Sequence, residues 1–274
     1  MPKNVKKAVI PAAGLGTRLR PLTAHMPKEL LPVGGKPMIQ YTLEMYMASG
    51  ISEFCIITSS CKPLLKDFIT GDWNPPSLPF QWDAALYRRL KDCRTLFVTQ
   101  ENPCGVADAV SLARDFVGNE PFACIMPDCL LFSVIPHAKQ LIDAFQRYEK
   151  NVIGMVMIKG DDVRRFANVG VLRADKLDHG FFSIRSLSDK KRKPLAVKPV
   201  ETVHKGFGGG IYLPEYFDLV EDIRSGVRGE VDDVPVHQIL VERGDLLGGL
   251  LEGAAFDAGH PLGFRAAFDA GRKL

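Results

Sequence analysis

Strands alternating with helices along the first 160 residues predict an α/β protein built on a parallel sheet with crossover connections. Two further observations support this class. The first apolar strand runs directly into a loop of small residues, and the 274 residues can bury a sizeable core without disulfides or a structural metal. With 46% hydrophobic and 24% charged residues, the composition is that of a globular chain, not of a disordered tail, a collagen or a coiled coil.

The elements follow in order. Val5 to Pro11 reads as a buried strand, and Ala12 to Arg18 as a small-residue loop. Pro37 to Ser49 has helical spacing, with Ile39, Leu43 and Tyr46 on one side. Pro37 suits its first turn and Gly50 its stop. Phe54 to Thr58 is a short apolar strand and Leu64 to Ile69 a helix. Asp72 to Phe80, with three prolines, reads as a surface loop flanked by Trp73 and Trp82, which suit packing or subunit contacts. Leu96 to Gln100 is a strand, Val106 to Val117 a helix, and Phe122 to Met126 a strand ending at Pro127-Asp128. Lys139 to Lys150 is helical and Val152 to Ile158 extended.

Beyond Lys159 the texture changes. Short strands are expected at Val169–Leu172, Phe181–Ile184 and Leu195–Val197, with a solvated turn at Lys190 to Lys193. Gly206 to Leu213 is Gly-rich and then apolar, and Tyr216–Ile223 and Val234–Glu242 look helical. There is no internal repeat. The expected organisation is one domain over 1–274 in two parts, 1–160 and 161–274.

Several function classes are excluded or disfavoured. With 35 basic and 32 acidic residues, a net charge of +3 does not point to nucleic acid. No apolar run approaches the ~18 residues of a membrane-spanning helix. Met1 to Lys7 is basic but leads into a strand, not a signal-peptide core, so the cytoplasm is the expected compartment. The six cysteines form no C-x-x-C pair, and most sit in apolar stretches, where they suit small hydrophobes. The six histidines lack metal-ligand spacing. His237 fits a packed helix, and His260 stands next to a candidate site residue, Asp257. Ser59-Ser60 has no nucleophile-elbow context.

Chemistry concentrates in the loop after the first strand. Its glycines let backbone N–H groups approach phosphate oxygens, and Arg18 and Arg20 add fixed positive charge. It is neither a Walker A motif nor a full G-x-G-x-x-G. Pro11 to Tyr41 reads P-A-A-G-L-G-T-R-L-R-P-L-T-A-H-M-P-K-E-L-L-P-V-G-G-K-P-M-I-Q-Y. This stretch resembles the opening motif of the sugar-1-phosphate nucleotidyltransferases, and its G-L-G-T-R, P-K-E-L-L-P and K-P-M-I-Q-Y forms are most similar to the bacterial UTP–glucose-1-phosphate uridylyltransferases.

The resemblance implies a single Rossmann-like, doubly wound α/β domain with a mixed, mostly parallel central sheet and small antiparallel additions. In such enzymes Ala13, Gly14, Leu15, Gly16 and Thr17 wrap the nucleoside triphosphate, and Arg18 and Lys28 steady its phosphates. Val98-Thr99-Gln100 with Gly105 is similar to the base-reading segment, where Gln100 meets the pyrimidine edge. Cys104 stands where the uridylyltransferases often have Lys, and Ala107-Asp108 where they have Gly-His. By the same resemblance Asp128 and Asp257 hold Mg²⁺, Gly170 lets the sugar approach the backbone, and Lys198 binds the second phosphate. Val197 replaces the family's sugar-contacting Glu, and Lys205 to Gly210 lies where an Asn is usual.

The reaction implied is UTP plus glucose 1-phosphate giving UDP-glucose and pyrophosphate, in a homo-oligomer (dimer or tetramer) with no nucleic-acid or membrane partner. The same chemistry with dTTP or CTP and another sugar phosphate stays open. So does a nucleotide-sugar-binding regulator with little turnover.

Overall fold

The computed structural model describes residues 4–72, 83–166, 171–188, 201–226 and 229–273. Outside them fall the Pro-rich loop's core, both tryptophans, the Lys190–Lys193 turn, the expected strand at 195–197, and Gly170 and Lys198.

The described chain begins with β1 (Lys7–Pro11) and, past a 3-10 turn at Thr17–Leu19 and another at Lys28–Leu30, a minor hairpin of β2 (Pro32–Val33) and β3 (Lys36–Pro37). There follow α1 (Met38–Ala48), β4 (Glu53–Thr58), α2 (Pro63–Thr70), α3 (Ala84–Lys91) and β5 (Arg94–Thr99). Next come α4 (Val106–Ser111), α5 (Arg114–Val117), β6 (Phe122–Ile125), β7 (Cys129–Phe132), α6 (His137–Tyr148) and β8 (Asn151–Lys159). The last part holds β9 (Val171–Lys176), β10 (Phe181–Leu187), β11 (Thr202–Tyr212), α7 (Glu215–Arg224), α8 (Asp233–Glu242), β12 (Leu246–Leu250), β13 (Ala254–Asp257) and α9 (Pro261–Gly271).

Among the described residues nine strands form one sheet in the order β5-β4-β1-β6-β11-β8-β12-β10-β9. β5, β4, β1 and β6 are mutually parallel, as are β8 and β12. Only β10 and β11 run against the rest. The sheet is therefore mixed and mostly parallel, as expected. β13 pairs with β7 as a separate antiparallel piece.

Both sheet faces are covered, which is why the first strands read as continuous apolar runs. Alternate side chains divide between two cores. Ala8, Ile10, Phe54 and Ile56 face α1, α2 and α6, meeting Leu43, Tyr46, Phe68 and Phe145. Val9, Cys55 and Ile57 face α4, α7 and α8, meeting Val110, Phe217 and Leu240. Parallel strands wound on both sides leave their carboxyl ends on one edge, where open α/β sheets bind ligands.

The expected helix from Val106 to Val117 is two helices. Leu112 and Ala113 bond back only three residues, to Ala109 and Val110, so the helix tightens and stops before α5. Pro37 precedes α1 and belongs to the β2–β3 hairpin. Gly50, at φ +84°, ends that helix as expected.

Candidate active site

The loop after β1 leaves the sheet at its carboxyl edge. The Ala12 N–H bonds Ile57 O, continuing the ladder for one step. The N–H groups of Ala13, Gly14, Leu15 and Gly16 then find no backbone acceptor among the described residues. Gly16 turns with φ +66°, and its carbonyl accepts from Thr23 Oγ1 at 2.8 Å. Free donors in a tight curve of small residues form an anion-binding concavity.

Lys28 opens the short helix after Pro27, and its ammonium lies 2.5 Å from Asp128 Oδ2. Burial disfavours the Lys28 charge, but the carboxylates of Asp128 and Glu29 outweigh it and hold the group above its ordinary range. Burial likewise opposes ionisation of Asp128, yet Lys28 and then Arg18 hold its carboxyl below the usual range. Both groups are thus charged at neutral pH. Behind them the buried Glu29 meets Lys62 Nζ at 2.9 Å, and Lys62 also donates to Ala12 O at 2.6 Å. That pair ties the Lys28 segment to the end of β1.

Asp128 sits past β6, on the turn into β7. The Tyr46 hydroxyl accepts the Ile125 N–H at 2.7 Å, and Met126 N donates to Gly208 O at 2.6 Å, so both sides of the strand end are held. Asp257 arrives on β13, paired across from Cys129, and Ala258 N donates to Asp128 O at 2.8 Å. The two aspartates, distant in sequence, are therefore neighbours, and both are buried. Gly259 allows it: a Cβ there would stand 2.5 Å from Asp128 Oδ2 and 3.2 Å from Arg18 Nη2.

Two cavities meet at this point. One, of about 460 Å³, is lined by the loop from Ala13 through Arg18 together with Lys28, Gln100 and Gly105. The other, of about 250 Å³, is lined by Arg18, Lys28, Asp128, Asp257 and Lys205. Arg18, Lys28, Val106 and Met126 belong to both walls. Gly105 closes the first cavity with φ +110°, and a Cβ there would meet Val231 O at 2.3 Å, so only glycine fits. The structure thus brings together Ala13, Gly14, Leu15, Gly16, Thr17, Arg18, Lys28, Gln100, Gly105, Asp128 and Asp257.

Lys205 was not expected in the site. β11 runs against β6 and pairs with it only from Gly209 onward, so its first half projects past the carboxyl end of β6. Lys205 is buried there, with Nζ 5.2 Å from the centre of the Phe166 ring. It makes no hydrogen bond or ion pair with a described residue, and it is not among the sealed polar atoms, so its ammonium opens on the second cavity. A lysine inside a Gly-rich, apolar strand was the one sequence signal for it. His260 precedes α9 and lines neither cavity, and its sealed Nε2 has no partner among the described residues, which fits a structural histidine. His237 packs as expected, 2.8 Å from the Tyr212 hydroxyl.

Among the described residues no group of three or more His, Cys, Asp or Glu side chains is placed to hold a metal ion. Two hard carboxylates in one cavity still suit Mg²⁺, which takes few protein ligands and completes its shell with phosphate oxygens and water. No described helix is long and apolar enough to cross a membrane.

The profile of the nucleotidyl transferase family matches residues 7–269. A UTP–glucose-1-phosphate uridylyltransferase of Bacillus subtilis is 30% identical over 269 residues, 96% of this chain and 89% of that protein. A second protein of that organism, provisionally assigned the same activity, is 33% identical over 265 residues, 93% of this chain and 92% of its own. The solved structure of a UDP-glucose pyrophosphorylase complexed with UDP-glucose superposes with a TM-score of 0.82 at 26% identity, over 98% of this chain and 99% of that one.

Proposed function

This chain belongs to the nucleotidyl transferase family, and on that premise we propose that it transfers uridylyl from UTP to glucose 1-phosphate, releasing pyrophosphate, in the cytoplasm and as a homo-oligomer. The observation that carries the reading is the pair of cavities joined at Arg18 and Lys28, with Asp128 held by the Lys28 ammonium on the wall of the smaller one. A nucleotide in the larger one brings its α-phosphate to the shared wall. A sugar 1-phosphate in the smaller one approaches the same wall from the other side.

A non-bridging oxygen of the sugar phosphate attacks the α-phosphorus in line. The bond from that phosphorus to the oxygen bridging to the β-phosphate breaks, and pyrophosphate leaves. No covalent protein intermediate is required, so the protein's work is positioning and charge neutralisation. The loop amides and Arg18 hold the triphosphate. Lys28 neutralises charge where the two anions converge, a large repulsion in a poorly solvated cleft. Lys205, whose ammonium has no counter-ion among the described residues, takes the phosphate of the incoming sugar. Lys198 shares that role by resemblance alone. Asp128 and Asp257 would hold Mg²⁺, which would supply further neutralisation of phosphate charge.

Pyrophosphate release over a panel of UTP, dTTP and CTP with several sugar 1-phosphates tests the reading, and UTP with glucose 1-phosphate is expected to be fastest. Asp128→Asn should cut turnover by about a hundredfold or more while circular dichroism stays native. Near-normal turnover in a folded Asp128→Asn protein would remove Asp128 from the reaction.

A further inference from the structure

The larger cavity ends in a hydrogen-bond chain that leaves one acceptor facing inward. Gln100, just past β5, is buried, with Nε2 2.7 Å from Asp108 Oδ2 and 3.3 Å from Gly105 O. Both neighbours accept hydrogen bonds. The amide must therefore turn its NH₂ toward them, since the reverse would set oxygen against oxygen. Asp108 on α4 is held in turn. Its Oδ1 accepts from Arg224 Nη1 of α7 at 2.7 Å. Arg224 Nη2 donates to Ser111 Oγ at 2.8 Å, and Ser111 Oγ donates to Asp108 O at 2.7 Å. Gln100 Oε1 has no partner among the described residues and is not sealed from solvent, so it opens on the cavity that Gln100 lines.

We propose that Asp108, clamped by Arg224, is a positioning residue that fixes Gln100 as an acceptor toward the nucleobase and thereby selects an imide base, uracil or thymine, over cytosine. An unclamped glutamine can rotate its amide to suit either edge. The clamped one offers only an oxygen. Uracil and thymine present an N3–H donor to it, whereas cytosine presents the N3 lone pair and meets repulsion. A site left with a mismatched buried polar group discriminates strongly. The inference rests on the assignment of the larger cavity to a pyrimidine nucleotide.

The test compares kcat/KM for UTP and CTP by pyrophosphate release, and the affinities for the same two nucleotides by calorimetry without sugar phosphate. In Asp108→Asn the new amide can accept from Gln100 or donate to it, so Gln100 can flip. The UTP-to-CTP ratio is expected to fall tenfold or more in both assays, with the loss falling on nucleotide choice and not on the KM for the sugar phosphate. Arg224→Gln, a change at a partly exposed side chain, should lower the ratio in the same direction by several-fold, and it decides the matter if Asp108→Asn does not fold. An unchanged ratio in the folded variant overturns the inference, as does a wild-type protein that binds CTP as tightly as UTP. If the wild type binds UTP selectively but releases no pyrophosphate, the proposed reaction fails while the calorimetric ratio still judges the clamp.

Discussion

His137, the first residue of α6, is buried against Phe207 with the two rings stacked 5.8 Å apart, and its Nε2 has no partner among the described residues. Burial pushes its pKa from an ordinary 6.5 down to about 3. Between those values the unfolded chain binds a proton that the folded chain refuses, so stability rises with pH across that window. It is complete above pH 6.5 and is lost as the pH falls. At pH 5 the loss from this one group is about 2 kcal/mol. Urea unfolding of wild type and His137→Gln at pH 7 and pH 5 should show the difference between the two pH values shrinking by about that amount in the variant. Equal slopes would mean the group is not buried neutral. At this scale much was legible. Arg18, Lys28, Gln100 and Asp128 stand in short local motifs whose chemistry is visible without a fold. Lys205 and the Asp108–Arg224 contact were not, because each depends on strands and helices meeting from distant parts of the chain.

Among the elements, the strands and helices of the first half were readable because apolar runs and helical spacing are local signals. The break within 106–117 was not, since no Gly or Pro marks it. β12 was also unseen. L-L-G-G-L has no β-branched residue to announce a strand, and its glycines leave room for neighbouring side chains: a Cβ at Gly248 would stand 2.4 Å from Met155 Sδ. The reversed direction of β11 carries Lys205 beyond β6. Lys205→Met keeps the stem and removes the charge. It should raise KM for the sugar 1-phosphate about tenfold, equivalent to about 1.4 kcal/mol, with KM for UTP little changed. Initial-rate measurements varying each substrate separate the two, and a rise confined to UTP would place the ammonium on the wrong side of the shared wall.

On the scale of the molecule, the α/β class and the mixed sheet followed from alternation and resemblance, while the order of the nine strands did not, since non-consecutive pairings such as β6 with β11 leave no periodic trace. The site collects residues from the ends of β1, β5, β6, β11 and β13, so ligands that bridge them bind the folded state alone. UTP at a hundred times its Kd should stabilise the protein by about 2.7 kcal/mol. Chemical unfolding with UTP and Mg²⁺, then with UTP and excess EDTA, should show part of that gain disappearing. A gain identical with and without the chelator would argue against a metal shared by the two aspartates and the phosphates.

The pairing of β11 with β8 passes from Gly206 opposite Met155 to Gly210 opposite Ile153, four steps along one strand against two along the other. An even surplus leaves side-chain parity intact, so Lys205 and Ile211 keep their allotted faces although the ladder between them is interrupted. Lineages could lengthen or trim this arch in pairs of residues and keep the same interior. A single insertion or deletion would invert everything upstream of it, exchanging the ammonium for the ring of His204.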